Sequence, residues 1–337
     1  MNKHVSHDRV AAMDVARGFA VLCMVMIHVE MFLAPEGPDL ISMRAVVELL
    51  GSVPAAPVFM FLMGASLAFS SHTAPGQLIR RGLLLLGAGY ALNVLRLMPE
   101  AGYALTKDIP PMEVLPQMYE IDILHFAGLA LVIFGLFRLN RLGRPGLLLL
   151  AATVALCSPL LWGLHTGIPP VDMLLAPIWG KRPNTFFPLF PWLAYPLVGL
   201  AFGRTLTLAE DRRQCLFRLG MAGLTVATVT GLLLLAFPDL ARSFYRPYPL
   251  LVLFIIGFVP FWTWCCGLVA PLRALRQPVR LLSEWSQGVT VFYVAHWIII
   301  GWIAVLSFDI ETRTEFLLVS AFVAAGAHCV MRAWRKE

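Results

Sequence analysis

Asp14, Arg17 and His28 lie together in the first long apolar run of the sequence. Asp14 and Arg17 are three residues apart and Arg17 and His28 are eleven apart, so the members of each pair share one helix face. A rise of 1.5 Å per residue separates Arg17 from His28 by about 16 Å. A guanidinium binds phosphate or polarises a carbonyl, and an imidazole accepts a proton as a general base. This stripe therefore predicts a site for group transfer on one helix.

The same three residues have other interpretations. Arg17 can extend to the membrane surface and pair with Asp14, while His28 forms an ordinary hydrogen bond to another helix. A secondary transporter that moves a proton or an anion through Arg17, His28 and His296 is a functional alternative. The sequence contains no duplicated half that would support a transporter. Spacing alone leaves these alternatives open.

Polar and aromatic residues in or beside other apolar runs are candidates for substrate contact, because ionisable groups are costly in lipid. Asp122 and His125 are three residues apart and share a helix face, and Asn93 and Arg96 lie one turn apart. Structural hydrogen bonding, surface extension of arginine and aromatic packing are the corresponding alternatives. The predicted substrate-binding residues are Glu30, Asn93, Arg96, Asp122, His125, Trp192 and His296.

The composition predicts an integral membrane protein. Hydrophobic residues make up 59% of the 337 residues, charged residues make up 14%, and the mean hydropathy is +0.76. A polytopic all-α bundle of about ten membrane helices follows, forming a single transmembrane domain over residues 1–337. The predicted spans are residues 13–34, 50–71, 82–98, 121–137, 146–164, 186–203, 219–237, 249–270, 286–306 and 316–331.

The basic residues indicate orientation rather than a nucleic-acid partner, despite the net charge of +6. Most of the 26 Lys and Arg residues fall in segments on the same side as the N-terminus, so both termini are predicted to be cytoplasmic. Polar residues beside aromatics in segments 99–120 and 165–185, on the opposite side, suit a sugar-like ligand or are ordinary solvated loops. The Cys and His spacings predict no metal site.

Several segments resemble the transmembrane acyltransferase superfamily. In residues 9–28, Asp14, the pair Arg17-Gly18 and His28 match its opening pattern, which bacterial O-acyltransferases of surface glycans share. Three further segments are similar to motifs of its heparan-α-glucosaminide N-acetyltransferase branch, and residues 291–296 match more weakly. The three segments are Pro57–Ser66, Tyr119–Gly128 and Phe187–Gly203.

The resemblance implies a membrane acyltransferase of the bacterial inner membrane that uses acyl-CoA, most simply acetyl-CoA. His28 would be the catalytic base, Arg17 would help hold the acyl donor, and Asp14 would position Arg17. In the lysosomal enzyme of that branch a loop histidine serves instead, but this chain has no histidine between His28 and His72. The acceptor would be a hydroxyl or amine of a glycan or amino sugar on the periplasmic side, and a homodimer is left open. The donor's phosphates would meet arginines among Arg80, Arg81, Arg138, Arg141 and Arg144.

Overall fold

The computed structural model describes residues 10–34, 41–106, 118–182, 184–306 and 310–335. Within these ranges every regular element is a helix, apart from one isolated β-bridge between Ile121 and Thr185. The predicted all-α class is therefore confirmed. Half of the predicted polar segment 99–120 lies outside the described residues, because its positions 107–117 are not described.

The described residues form fourteen α-helices, which we number in chain order. They are α1 Ala11–Leu33, α2 Ile41–Ser52, α3 Ala56–Leu67, α4 Pro75–Thr106, α5 Ile123–Leu136, α6 Arg144–Leu161, α7 Pro169–Trp179, α8 Leu189–Trp192, α9 Ala194–Thr207, α10 Arg212–Ala236, α11 Pro249–Val269, α12 Arg276–Gln287, α13 Val289–Val305 and α14 Arg313–Trp334. Short 3₁₀ turns lie between α5 and α6, after α10, and before α12.

Seven helical segments of the described chain are long and apolar enough to cross a membrane. A multi-pass membrane protein is therefore supported, while the predicted number of ten spans and the cytoplasmic termini are not confirmed. The seven are Ala11–Leu33, Met43–Leu67, Pro75–Arg96, Arg144–Leu161, Arg212–Ala236, Pro249–Val269 and Arg313–Trp334.

Three predicted spans differ from continuous membrane helices. The span 121–137 corresponds to α5, whose 14 residues cover only about 21 Å. The span 186–203 is interrupted inside α8, where Phe190, which precedes Pro191, has a non-helical conformation. The span 286–306 follows a 91° bend between α12 and α13, and counting this bent pair as one span gives eight.

The contacts of the described residues divide the chain into two compact units. The first unit draws on Met1–Phe59, Val94–Val114 and Trp262–Glu337, and the second draws on Met60–Asn93 and Leu115–Phe261. Helices α1, α2, α12, α13 and α14 therefore belong to the first unit, and α5 to α10 belong to the second. The single domain over residues 1–337 stays a prediction.

Small residues let helices α3 and α9 of the second unit approach closely. A Cβ added to Gly64 would lie 2.0 Å from the Pro196 carbonyl oxygen, and one added to Gly199 would lie 1.9 Å from the Phe61 carbonyl oxygen. Helices in membranes associate through such small residues, because lipid offers no hydrophobic driving force between them. The contacts of Gly64 and Gly199 thus bring parts of two motif-bearing segments, Phe61–Gly64 and Pro196–Gly199, together in one helix interface of the second unit.

Candidate functional site

Asp14 and Arg17 of α1 contact one serine of α12 in the first unit. Ser286 Oγ donates to Asp14 Oδ1 at 2.8 Å, and Arg17 Nη1 donates to Ser286 Oγ at 3.3 Å. Arg17 Nη1 also lies 3.9 Å from Asp14 Oδ1, with about 15% of each side chain exposed. The carboxylate and the serine together hold the guanidinium in a mostly buried position.

Gly18 explains why these two helices can come close enough for that network. A Cβ at position 18 would lie 2.1 Å from the Leu282 carbonyl oxygen and 2.7 Å from its Cα. Real Cβ atoms essentially never lie this close to backbone atoms, so a larger residue would push α12 away from α1. In the pair Arg17-Gly18, the arginine therefore bonds to α12 and the glycine leaves the space that α12 occupies.

His28, near the other end of α1, meets His296 of α13. Its Nδ1 lies 2.8 Å from His296 Nε2, and the two rings are 12° from parallel with centroids 5.2 Å apart. A nitrogen–nitrogen distance this short requires the rings to meet edge to edge, since stacked faces cannot approach so closely. His296 is 0% exposed and its Nδ1 lies 3.3 Å from the Phe292 carbonyl oxygen, whereas His28 is half-buried.

Aromatic side chains and one arginine surround the histidine pair. The Trp297 ring lies 4.2 Å from the His28 ring, with a 30° tilt, and Tyr293 meets His28 edge-on at 6.5 Å. Arg96 Cζ lies 3.9 Å from the Trp297 ring centroid and 6.0 Å from that of Phe32. The structure therefore places three predicted site residues, His28, His296 and Arg96, in one cluster of the first unit.

Sequence reasoning did not assign Trp297, Tyr293 or Phe32 of this cluster to the site, and Trp297 lies nearest to His28. Its indole Nε1 is buried and has no hydrogen-bond partner among the described residues. The available signal was its position next to His296 and one helical turn after Tyr293. That signal is weak, because aromatic residues in membrane helices mostly serve packing.

Glu30 follows His28 on α1 and is paired within the first unit. Its carboxylate is 7% exposed and accepts a hydrogen bond from Arg44 Nε of α2. Arg44 Nη2 also donates to the Ala34 carbonyl oxygen at 3.0 Å. The pair connects α1 to α2, and a substrate contact by Glu30 stays a prediction.

Two predicted site residues of the second unit bond to each other at the start of α5. Asp122 caps this helix by accepting from the Ile123 N–H at 2.7 Å, and His125 Nδ1 accepts from the Asp122 N–H at 3.2 Å. The His125 ring also lies edge-on to Tyr90, with 4.4 Å between centroids. This reciprocal arrangement is a capping box, which stabilises a helix start.

Asn93 and Trp192 of the second unit both donate to backbone carbonyls. Asn93 Nδ2 lies 2.8 Å from the Glu120 carbonyl oxygen, and Trp192 Nε1 lies 2.9 Å from that of Tyr245. Trp192 is 0% exposed and packs edge-on against Phe187, with ring centroids 4.7 Å apart. These contacts give both residues a structural role, and their contact with substrate stays a prediction.

Tyr245 and Arg246 continue this packing beside α7. Arg246 Nε donates to the Gly180 carbonyl oxygen at 3.1 Å, and burial lowers the pKa of its guanidinium. Burial also raises the pKa of the Tyr245 phenol, against which the Arg182 guanidinium stacks at 4.9 Å. Aromatic and cationic groups therefore lie beside this loop, and a sugar-like ligand at segment 165–185 stays a prediction.

Five predicted donor-binding arginines lie on exposed segments at one end of the second unit. Asn140 Nδ2 donates to the Thr73 carbonyl oxygen at 2.8 Å, and Arg204 donates to the carbonyl oxygens of Asn140 and Leu142. These bonds join the segment after α5 to the segment before α4 and to the end of α9. The five predicted arginines are Arg80, Arg81, Arg138, Arg141 and Arg144.

Comparison with known protein families identifies the family of this chain. A family model described as heparan-α-glucosaminide N-acetyltransferase, catalytic, matches residues 9–257. With the apolar helices, this match defines a membrane acetyltransferase. Because the match covers most of the chain, the protein belongs to the heparan-α-glucosaminide N-acetyltransferase catalytic-domain family.

The match confirms the family that the sequence motifs predicted, and it continues from Gly203 to Gly257. His296 and Trp297 lie beyond the matched residues. A search of curated proteins and a search of solved structures find no match to this chain. Among the described residues, no group of three or more His, Cys, Asp or Glu side chains is placed to hold a metal ion.

Proposed function

We propose that this protein transfers an acetyl group from acetyl-CoA to an amine or hydroxyl of a glycan or amino sugar. The observation that carries the proposal is the family match over residues 9–257, which includes Asp14, Arg17 and His28. The family description itself refers to an N-acetyltransferase acting on a glucosaminide. The half-buried His28 ring supports the proposal because it is a proton acceptor placed inside a membrane helix.

His28 acts as the general base in this proposal. The acceptor nitrogen or oxygen attacks the thioester carbonyl while its proton moves to His28, and the carbon–sulfur bond then breaks. His28 returns the proton to the departing thiolate, so the products are the acetylated acceptor and CoA. General base catalysis of this kind contributes about 10²–10⁴-fold to a rate.

Arg17 binds the donor in this proposal. Arg17 is held by Asp14 and Ser286, so its guanidinium is oriented before a ligand arrives. The exposed arginines of the second unit stay predicted contacts for phosphate groups on the cytoplasmic side of a bacterial inner membrane, and they are Arg80, Arg81, Arg138, Arg141 and Arg144. The acceptor reaches the protein from the periplasmic side.

The test uses the purified full chain in lipid nanodiscs, radiolabelled acetyl-CoA and a panel of amino sugars, glucans and lipid-linked glycans. We expect label in at least one acceptor and an equal amount of free CoA. Protein that binds no CoA and transfers no label, but takes up a solute when reconstituted in vesicles, would favour the transporter and overturn the proposal.

A binding measurement tests the role of Arg17 separately. We expect Arg17→Ala to raise the dissociation constant of CoA roughly tenfold, which corresponds to about 1.4 kcal/mol. Arg280→Ala is the matched control, because Arg280 is exposed on α12 of the same unit and pairs only at the surface with Glu284. Equal CoA affinity in both variants would remove Arg17 from the donor site.

A further inference from the structure

The hydrogen bonds of His296 have only one consistent direction. The Phe292 carbonyl oxygen, 3.3 Å from His296 Nδ1, can only accept, so Nδ1 carries a proton. In a neutral imidazole the other nitrogen is then an acceptor. His296 Nε2 therefore presents a lone pair to His28 Nδ1, which lies 2.8 Å away.

This direction fixes the tautomer of His28. Its Nδ1 must carry the proton that His296 Nε2 accepts, and its Nε2 then holds an unshared lone pair. None of the described residues donates a hydrogen bond to His28 Nε2. The nitrogen that can accept a proton is thus the one on the far side of the ring from His296.

Packing keeps the His28 ring in this orientation. Trp297 covers the ring at 4.2 Å, and the fully buried His296 blocks its Nδ1 edge. Because His28 itself is half-buried, the exposed part of the pair belongs to His28 and not to His296. Of the two rings, His28 is therefore the one that has an exposed surface.

We propose that His296 is a positioning residue, which sets the tautomer of His28 so that Nε2 is the basic atom. This inference rests on the proposed transferase function and extends it to a residue outside the family match. When His28 Nε2 takes the acceptor's proton, the imidazolium keeps its Nδ1–H bond to the neutral His296. When the proton passes to the thiolate, both rings return to their starting tautomers.

Nitrogen NMR on the wild-type protein tests the tautomer directly. The chain is labelled with ¹⁵N-histidine, and the signals of the two rings among the eight histidines are assigned by their loss in His28→Ala and His296→Leu. We expect His28 to be protonated on Nδ1 and His296 to be protonated on Nδ1 at neutral pH. A proton on His28 Nε2 would overturn the inference, whatever the variants do to activity.

Kinetics of three variants test the consequence for the reaction. We expect His296→Leu to lower the transfer rate by about 10²-fold, since the wrong tautomer removes most of the benefit of a general base. His296→Gln should stay within about tenfold of the wild type, because its amide both accepts from His28 and donates to Phe292. His328→Leu is the matched control, since His328 lies in the same unit and accepts from Trp285 instead.

The outcomes separate the two proposals. If His28→Ala is inactive and His296→Leu transfers at the wild-type rate, His28 stays the base and the positioning role is wrong. If His28→Ala keeps the wild-type rate, the catalytic assignment of the proposed function fails as well. If His296→Leu does not fold, the NMR result on the wild type and the transfer rate of His296→Gln still test the positioning role of His296.

Discussion

The two units use their polar side chains differently at the predicted site positions. In the first unit these side chains bond to one another across helices, as in the pair His28–His296 and the network of Asp14, Arg17 and Ser286. In the second unit Asn93 and others bond to backbone carbonyls or helix ends. An exposed contact between Arg144 and Thr205 is an exception in the second unit.

This difference separates side chains that can take up or release a proton from side chains that hold a fixed hydrogen bond. A backbone carbonyl only accepts, so a side chain bonded to it has one stable arrangement and holds a loop or a helix start in place. In the pair of imidazoles, His28 keeps one ring nitrogen that can gain and lose a proton. The comparison therefore predicts that changes to the histidine pair of the first unit affect the reaction. Changes to the side chains of the second unit that bond to backbone groups should affect stability.

His28→Ala tests the reactive side of the comparison with the largest expected effect. We expect the transfer rate to fall by about 10²–10⁴-fold, because the general base is lost. CoA affinity should stay within a few-fold, and the midpoint of thermal unfolding in nanodiscs should change little. A transfer rate within about threefold of the wild type would contradict both the role of His28 and the division between the units.

Trp192→Ala tests the structural side in the second unit. We expect the free energy of unfolding to fall by about 3–5 kcal/mol, because a fully buried indole is removed. Trp192→Phe is the control that keeps a ring but loses the bond to the Tyr245 carbonyl, at a cost of about 1–3 kcal/mol. Unfolding in denaturant measures both. A loss of transfer in the folded Trp192→Phe protein, with unchanged stability, would instead favour a substrate contact.

Gly18→Ala tests whether the Arg17 network depends on close helix packing. We expect a destabilisation of about 1–3 kcal/mol, because the new Cβ would collide with the Leu282 backbone. Gly87→Ala is the matched control, since nothing lies within 4 Å of a Cβ there and alanine favours a helix by about 1 kcal/mol. Thermal unfolding of both variants should shift in opposite directions, and a shift of equal sign would refute this packing argument.

The sequence predicted the helical class and the stripe on α1 because both depend on local periodicity. Arg17 and His28 do turn toward neighbouring helices, Arg17 to Ser286 and His28 to His296. Two contacts also agree with the purely structural alternative for these residues. They are the ion pair of Asp14 with Arg17 and the hydrogen bond of His28 to another helix. Spacing on one helix could not distinguish these interpretations, because it carries no information about the partner helix.

The missed features depend on residues far apart in sequence. His28 and His296 are separated by 268 positions, so their contact leaves no local pattern. The interruption at Phe190, inside α8, is local and was visible in principle, because Pro191 disfavours a helical conformation at Phe190. The prediction of a continuous span rested on hydropathy alone, because the residues around Pro191 are mostly apolar.

The smallest expected effect on stability concerns Asp172, a titratable group of the second unit. Its hydrogen bonds come from Thr166, which is close to it in sequence. The Thr166 N–H, at 2.6 Å, and the Thr166 hydroxyl, at 2.8 Å, donate to its carboxylate and hold its pKa below the ordinary value of 3.8. A lowered pKa means that this stabilisation is complete above the unfolded-state pKa and is lost as the pH falls through the folded-state value. We expect wild type and Asp172→Asn to differ slightly in thermal stability at pH 6 and to converge well below pH 4, with equal transfer rates at pH 7. Convergence at a higher pH would contradict the lowered pKa of Asp172. An effect of Asp172→Asn on transfer would show that the second unit also contains a group that matters to the reaction.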